Sequence, residues 1–244
     1  MSLEEGSKYN ENLIPISRGD VLPNRDIPVE WITYDLWESM RAYDKPLADE
    51  ILEPVFVFMR AQTDKARLAI QGLGPYLEYR ERDVGKAYVL PDLRFLFLYL
   101  GEGMLMMFFF SLLCSLMRFS MGLHLTPGQL ETVKGVEQNC AKHLSIMNDV
   151  YSWDKELRAS KTGHAEGAAI CSAVQVLHQE TDLPYEATKK VLLAMCRGWE
   201  TNHTILVNQL PHEWEVQTYA KGLEYQISGN ERWSATTPRY HSAN

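Results

Sequence analysis

The sequence predicts an all-α protein built as one domain. Apolar residues recur at three- and four-residue spacing along most of the chain, strand-like alternation is weak, and Gly and Pro fall between the helical stretches. At 244 residues the chain is long enough to bury one substantial core, and 45% apolar with 23% charged residues is ordinary soluble-protein composition. No internal repeat or linker divides it.

The elements follow in order. Residues 28–45 place Trp31, Tyr34, Leu36 and Trp37 on roughly one side, as an amphipathic helix does. Pro46 suits the opening of a second helix, which Pro54 is expected to kink. Gly72, Gly74 and Pro75 punctuate, and a further helix starts near Tyr76. Thr126, Pro127 and Gln129 form a helix start: a hydroxyl N-cap, a proline at the first helical position and an amide that completes a capping box. Val133, Val136, Cys140, Leu144, Met147 and Tyr151 then recur on one side of a long helix. Three more helices are expected at 165–180, 184–210 and 213–229.

Charge and cysteine usage narrow the chemistry. A net charge of −8 with no basic stripe argues against a nucleic-acid partner, and it obliges any anionic ligand to arrive with metal or meet a few placed cations. Cys114, Cys140, Cys171 and Cys196 form no CxxC pair, the histidines show no HExxH spacing, and the first thirty residues are no signal peptide. A cytoplasmic protein without a disulfide framework or a zinc site is expected.

Residues 95–117 depart from the pattern. They are almost uniformly apolar, with Glu102 the only charge and no amphipathic period. As a helix they would reach about 34 Å, enough for a bilayer core of about 30 Å.

A candidate site lies in Asn148-Asp149-Val150-Tyr151-Ser152-Trp153-Asp154-Lys155-Glu156. Asn148, Ser152 and Glu156 are four residues apart and drift only about 40° per step, so they make one stripe of oxygen-bearing side chains. An amide oxygen, a hydroxyl and a carboxylate are hard donors suited to Mg²⁺, and Lys155 could meet a phosphate beside the ion. Spacing alone fits a solvated polar face equally well.

This segment resembles the (N/D)Dxx(S/T)xxKE metal motif of class I terpene cyclases. Arg80 in YLEYRERDVGK is similar to that family's diphosphate-sensing arginine, with Asp83 as its link to a helix break at Val84. The Arg239-Tyr240 pair follows in the family's order. EGSKYNENLIPISRGDVLP, DLWESMRA, DEILEPVFVFMRAQTD and GLEYQISGNE closely resemble fungal aristolochene synthases. The resemblance implies a class I cyclase helical bundle, incomplete at its N-terminus, whose substrate is farnesyl diphosphate held by three Mg²⁺ ions. It implies Asn148, Ser152 and Glu156 as ligands of one Mg²⁺, and Arg80, Lys155, Arg239 and Tyr240 as diphosphate-binding residues. Phe58 and Trp233 match positions whose aromatic faces stabilise migrating positive charge; plain core packing is the other reading of each. A helix ion pair with Glu81 or Asp83 is the other reading of Arg80. Self-association is implied too.

Two departures qualify the resemblance. The family's aspartate-rich DDxx(D/E) motif, which binds the other two Mg²⁺ ions, is absent from these residues; Asp49-Glu50-Ile51-Leu52-Glu53 mimics the spacing and reads as a helix face. A chain so deprived is expected to be inactive or nearly so. Relatives also lack an equivalent of about residues 87–111, which could be a membrane span, a tolerated helical excursion or an intron read in frame. A non-catalytic remnant and a membrane-anchored interaction protein are the competing functions.

Overall fold

A computed structural model describes residues 3–61, 72–81, 105–161 and 172–241. These are helices and their connections, with no strand among the described residues. They fall into two compact units.

The first unit holds α1 (Leu3–Arg18), α2 (Pro28–Ala61) and α4 (Leu105–Met121). Periodicity did not announce α1; its buried stripe is only Leu13, Ile14, Ile16 and Ser17. Helix α2 is two helices end to end. Asp44 between them is extended (φ −152°, ψ 93°), and its carboxylate accepts the Leu47 N–H at 3.1 Å. Asp44 is therefore an N-cap, and Pro46 lies in the following first turn where no N–H is needed. At Pro54 the helical backbone continues.

Ile14, Trp37, Ile51, Leu52 and Phe56 form this unit's core, with Leu112 and Phe119 of α4 packed against it. The C-terminal part of the apolar stretch thus lies on a protein core. Arg118, just beyond it, is buried and donates to Glu50 at 3.1 Å and Ser115 at 3.2 Å. Among the described residues no helix is long and apolar enough to cross a membrane. Residues 82–104, with most of the extra segment, lie outside the described residues.

The second unit holds α3 (Leu73–Glu81), α5 (Pro127–Lys161), α6 (Ala173–Thr181), α7 (Tyr185–Asn208), α8 (Trp214–Thr236) and one turn, α9 (Pro238–His241). Helix α5 is its axis, and α3, α6, α7, α8 and α9 all pack on it. Its start is the expected capping box: Thr126 N–H donates to Gln129 Oε1 at 2.8 Å, and Gln129 N–H returns to Thr126 Oγ1 at 3.3 Å. Val133, Val136, Cys140, Leu144 and Met147 are buried as the spacing predicts, and Tyr151 is half-buried.

Helix α6 is described from Ala173, with Ser172 capping Val174 N–H at 3.3 Å. Helix α8 runs past the expected end at 229 to Thr236. Gly229 weakens a helix without breaking it, whereas Pro238 forces the residue before it out of helical geometry. Thr237 is accordingly extended, at φ −67°, ψ 131°. Those extra turns carry Trp233. Cys114, Cys140 and Cys196 are buried. Burial pushes the Cys196 thiol up to about 12 and Cys140 higher still.

Candidate functional site

The C-terminal half of α5 presents Asn148, Ser152 and Glu156 along one face. Ser152 is buried, and its hydroxyl donates to Glu156 Oε1 at 2.6 Å, which turns the lone pairs of Oγ away from the carboxylate. Asn148, half-buried, donates from Nδ2 to the Tyr240 hydroxyl at 2.7 Å across 92 residues of sequence. With its nitrogen so engaged, the amide keeps its carbonyl oxygen as a donor to a cation. An amide oxygen, a hydroxyl oxygen and a carboxylate on one face fit a hard divalent ion such as Mg²⁺.

Tyr240 reaches the stripe because Pro238 ends α8 and begins the turn α9 that carries it. Its ring is buried and meets Trp233 edge-on, with centroids 5.4 Å apart and planes at 79°. Burial raises the phenol pKa. The neighbouring Arg239 charge and the Asn148 bond oppose that shift, while Glu156 and Asp149 add to it. The hydroxyl therefore stays protonated near neutrality. It accepts from Asn148 and keeps a proton to offer an anion.

Lys155 is half-buried, two turns on from Asn148 and within about 20° of it around the helix. Arg239 is exposed beside Tyr240. Trp233 is 47% exposed and so is not core, one of its two expected readings. Arg80 lies in the last turn of α3, in this same unit, with its side chain outside the described residues, as are Asp83 and Val84. Phe58 lies in α2 of the other unit, its side chain likewise outside. The structure thus brings together Asn148, Ser152, Glu156, Tyr240 and Trp233.

Sequence reasoning passed over Asp149. It is 3% exposed, and its Oδ2 accepts from the Tyr76 hydroxyl at 2.6 Å and from Ala173 N–H at 2.8 Å. No spacing rule singles it out, because both partners are remote in sequence. Also missed was a polar seam between α5, α7 and α8. His143 Nε2 meets Glu200 at 2.9 Å, and Arg197 pairs with Glu200 and Glu231.

His143, Glu200 and Glu231 offer ligand atoms within 4.8 Å of one another and could hold a metal. Hydrogen-bond arithmetic disfavours it. A ligating imidazole needs an acceptor for its other N–H, and His143 Nδ1 is buried with no partner. The neutral tautomer donating from Nε2 to Glu200 avoids that cost, and Arg197 already pairs with both carboxylates.

The profile described as "Terpene synthase family 2, C-terminal metal binding" matches residues 105–201, a span containing Asn148, Ser152 and Glu156. The chain is 56% identical to the (+)-aristolochene synthase TS1 of Penicillium expansum, over 99% of its own length and 67% of that protein. It is 57% identical to the aristolochene synthase of Aspergillus terreus, over 98% of its length and 69% of that enzyme.

The chain belongs to the aristolochene synthase family.

The crystal structure of aristolochene synthase from Penicillium roqueforti superposes with a TM-score of 0.78 at 50% identity, covering 97% of this chain and 72% of that one. This aristolochene synthase homologue is therefore a terpene synthase by family, a carbon–oxygen lyase lineage, with the all-helical fold of its relatives. It spans about two thirds of their length. Its family metal-binding region includes the Asn148 stripe and leaves out Glu231 of the histidine group.

Proposed function

We propose that this chain carries the diphosphate-binding half of a Mg²⁺-dependent sesquiterpene cyclase site, one that converts farnesyl diphosphate to aristolochene or a related hydrocarbon plus diphosphate. One observation carries the reading. Of the three oxygen-bearing residues on one face of α5, Asn148 is hydrogen-bonded to the tyrosine of the Arg239-Tyr240 pair, and Ser152 to Glu156.

Asn148, Ser152 and Glu156 would hold one Mg²⁺, which supplies positive charge to the diphosphate oxygens as the substrate C–O bond breaks. The Tyr240 hydroxyl donates its remaining proton to a diphosphate oxygen, and its bond to Asn148 fixes the amide's orientation. Lys155 and Arg239 add cations on either side, and Arg80 binds diphosphate from α3. Trp233, held by Tyr240, presents an aromatic face to the allylic cation left behind. The resemblance gives Phe58 the same task. Both aromatics also exclude water, which would otherwise trap the cation.

The test is calorimetric. Inorganic pyrophosphate titrated into the purified chain is expected to bind with Mg²⁺ and not with EDTA, and Asn148→Ala or Glu156→Ala should weaken binding about tenfold or more. Binding that survives both substitutions removes the metal-site assignment.

A second reading has its own observation: DDxx(D/E) occurs nowhere in these 244 residues. On that reading the chain binds diphosphate without efficient turnover. Incubation with farnesyl diphosphate and Mg²⁺, followed by hydrocarbon analysis, separates the two; little or no product is expected from residues 1–244 alone, and robust product overturns the second reading.

A further inference from the structure

We propose that Asp149 is a positioning residue: through Tyr76 it sets the register of α3, the helix carrying Arg80, against the metal-binding face of α5. The proposal rests on the diphosphate site described above and names how that site is held in shape.

Asp149 adjoins Asn148 in sequence but faces the interior. A buried carboxylate is costly unless hydrogen bonds meet it, and a core position on α5 could have been filled by a leucine at no such cost. Here one oxygen collects two donors from two other helices: the Tyr76 hydroxyl of α3 at 2.6 Å and the first N–H of α6, Ala173, at 2.8 Å. The N-terminus of α6 adds its positive dipole end to the same oxygen. A single side chain therefore ties α5 to two neighbours at once.

Tyr76 is itself 0% exposed and packs in the cluster with Ile146, Met147 and Trp153, so its ring has little room to follow a displaced partner. Arg80 stands four residues on, one turn along α3. The contact is sensitive to register. Sliding either helix by one residue shifts it by about 1.5 Å and 100°, which breaks a 2.6 Å hydrogen bond. A second tether holds the start of α3, where Leu73 N–H donates to Glu180 of α6 at 2.7 Å. A diphosphate that must meet Arg80 and the α5 ligands together tolerates misplacement of only about 0.5 Å. In this scheme Asp149 acts through the helix that brings Arg80.

The experiment is a double-mutant cycle on the whole 244-residue chain, with pyrophosphate affinity read by calorimetry at saturating Mg²⁺. Arg80→Ala is expected to weaken binding about tenfold or more. Tyr76→Phe removes one hydroxyl and nothing else, and is expected to weaken it about five- to tenfold. In the Arg80→Ala background the same Tyr76→Phe change should cost less than twofold, since the residue it positions is gone. Asp149→Asn, which weakens the acceptor by removing its charge while keeping its shape, supplies the same cycle if Tyr76→Phe unfolds early. A full Tyr76→Phe penalty in both backgrounds means general packing and overturns the proposal. So does an unchanged affinity in Tyr76→Phe while Arg80→Ala weakens binding. If Arg80→Ala and Asn148→Ala both leave affinity untouched, the site reading itself falls, an outcome distinct from either of the others.

Discussion

Tyr240 shows how much of the site depends on single atoms. Its hydroxyl oxygen accepts a hydrogen bond from the Asn148 amide, so Tyr240→Phe leaves that amide without its partner and, in the proposed site, removes a donor to diphosphate. One such bond is worth about 1 to 1.5 kcal/mol net, so pyrophosphate affinity at fixed Mg²⁺ should fall roughly five- to tenfold by calorimetry, with helicity unchanged. Burial holds the phenol above its ordinary 10.0, so wild-type binding should show little loss from tyrosine ionisation as pH rises from 7 to 9. That Asn148, Ser152 and Glu156 share one helix face was legible in the sequence, because i, i+4 spacing maps directly onto a face. Tyr240, Trp233 and Arg80 were reachable only by resemblance, since helical periodicity says nothing about partners 92 residues away. Asp149 was not legible at all: it stands beside Asn148 in the same motif, and only the packing of α3 and α6 shows that it faces the interior.

Helix boundaries were legible where local chemistry decides them. The Thr126–Gln129 box starts α5 as read, and Thr126→Ala should lower unfolding free energy by about 1 kcal/mol in urea denaturation. Pro46 marked the break in α2, though the capping residue proved to be Asp44. Helix α1, whose apolar stripe is too narrow, was not legible, and the end of α8 was misplaced at Gly229 because the local stop, Pro238, was passed over. The α5–α7 seam gives a pH prediction at this scale. His143 and His203 are buried, with His143 Nδ1 and both His203 nitrogens unpartnered, and burial lowers both pKa values below 6.5. Glu200, Glu231 and Glu224 pull the other way; Arg197 and the neighbouring imidazole reinforce the lowering. The folded state therefore binds fewer protons than the unfolded one below pH 6.5. Stability is full above that value and falls as acid is added, by up to about 1.4 kcal/mol per pH unit for each histidine. Urea midpoints at pH 7.5 and 5.5 should show the fall, and His203→Gln should make it shallower.

For the whole molecule, the site residues with described side chains all belong to the second unit. Mg²⁺ with pyrophosphate at 100 times its Kd should add about 2.7 kcal/mol of apparent stability, and EDTA should abolish the gain. In hydrogen exchange the added protection should concentrate on peptides from α5, α8 and α9, leaving α1 and the first half of α2 unchanged. The all-helical class was legible at this scale because period and punctuation agree along the chain. The grouping of helices into two units was not, because it depends on contacts between segments as distant as α2 and α4.

The burial of Cys114, Cys140 and Cys196 turns the protein into a recorder of its own breathing. A thiol that meets no solvent is inert to iodoacetamide, so alkylation at those sites marks a moment when the surrounding helices parted. With Cys171 replaced by serine to silence the fourth sulfur, modification rates at Cys114 should time excursions of one unit, and those at Cys140 and Cys196 excursions of the other. Only the latter should slow when Mg²⁺ and pyrophosphate are added.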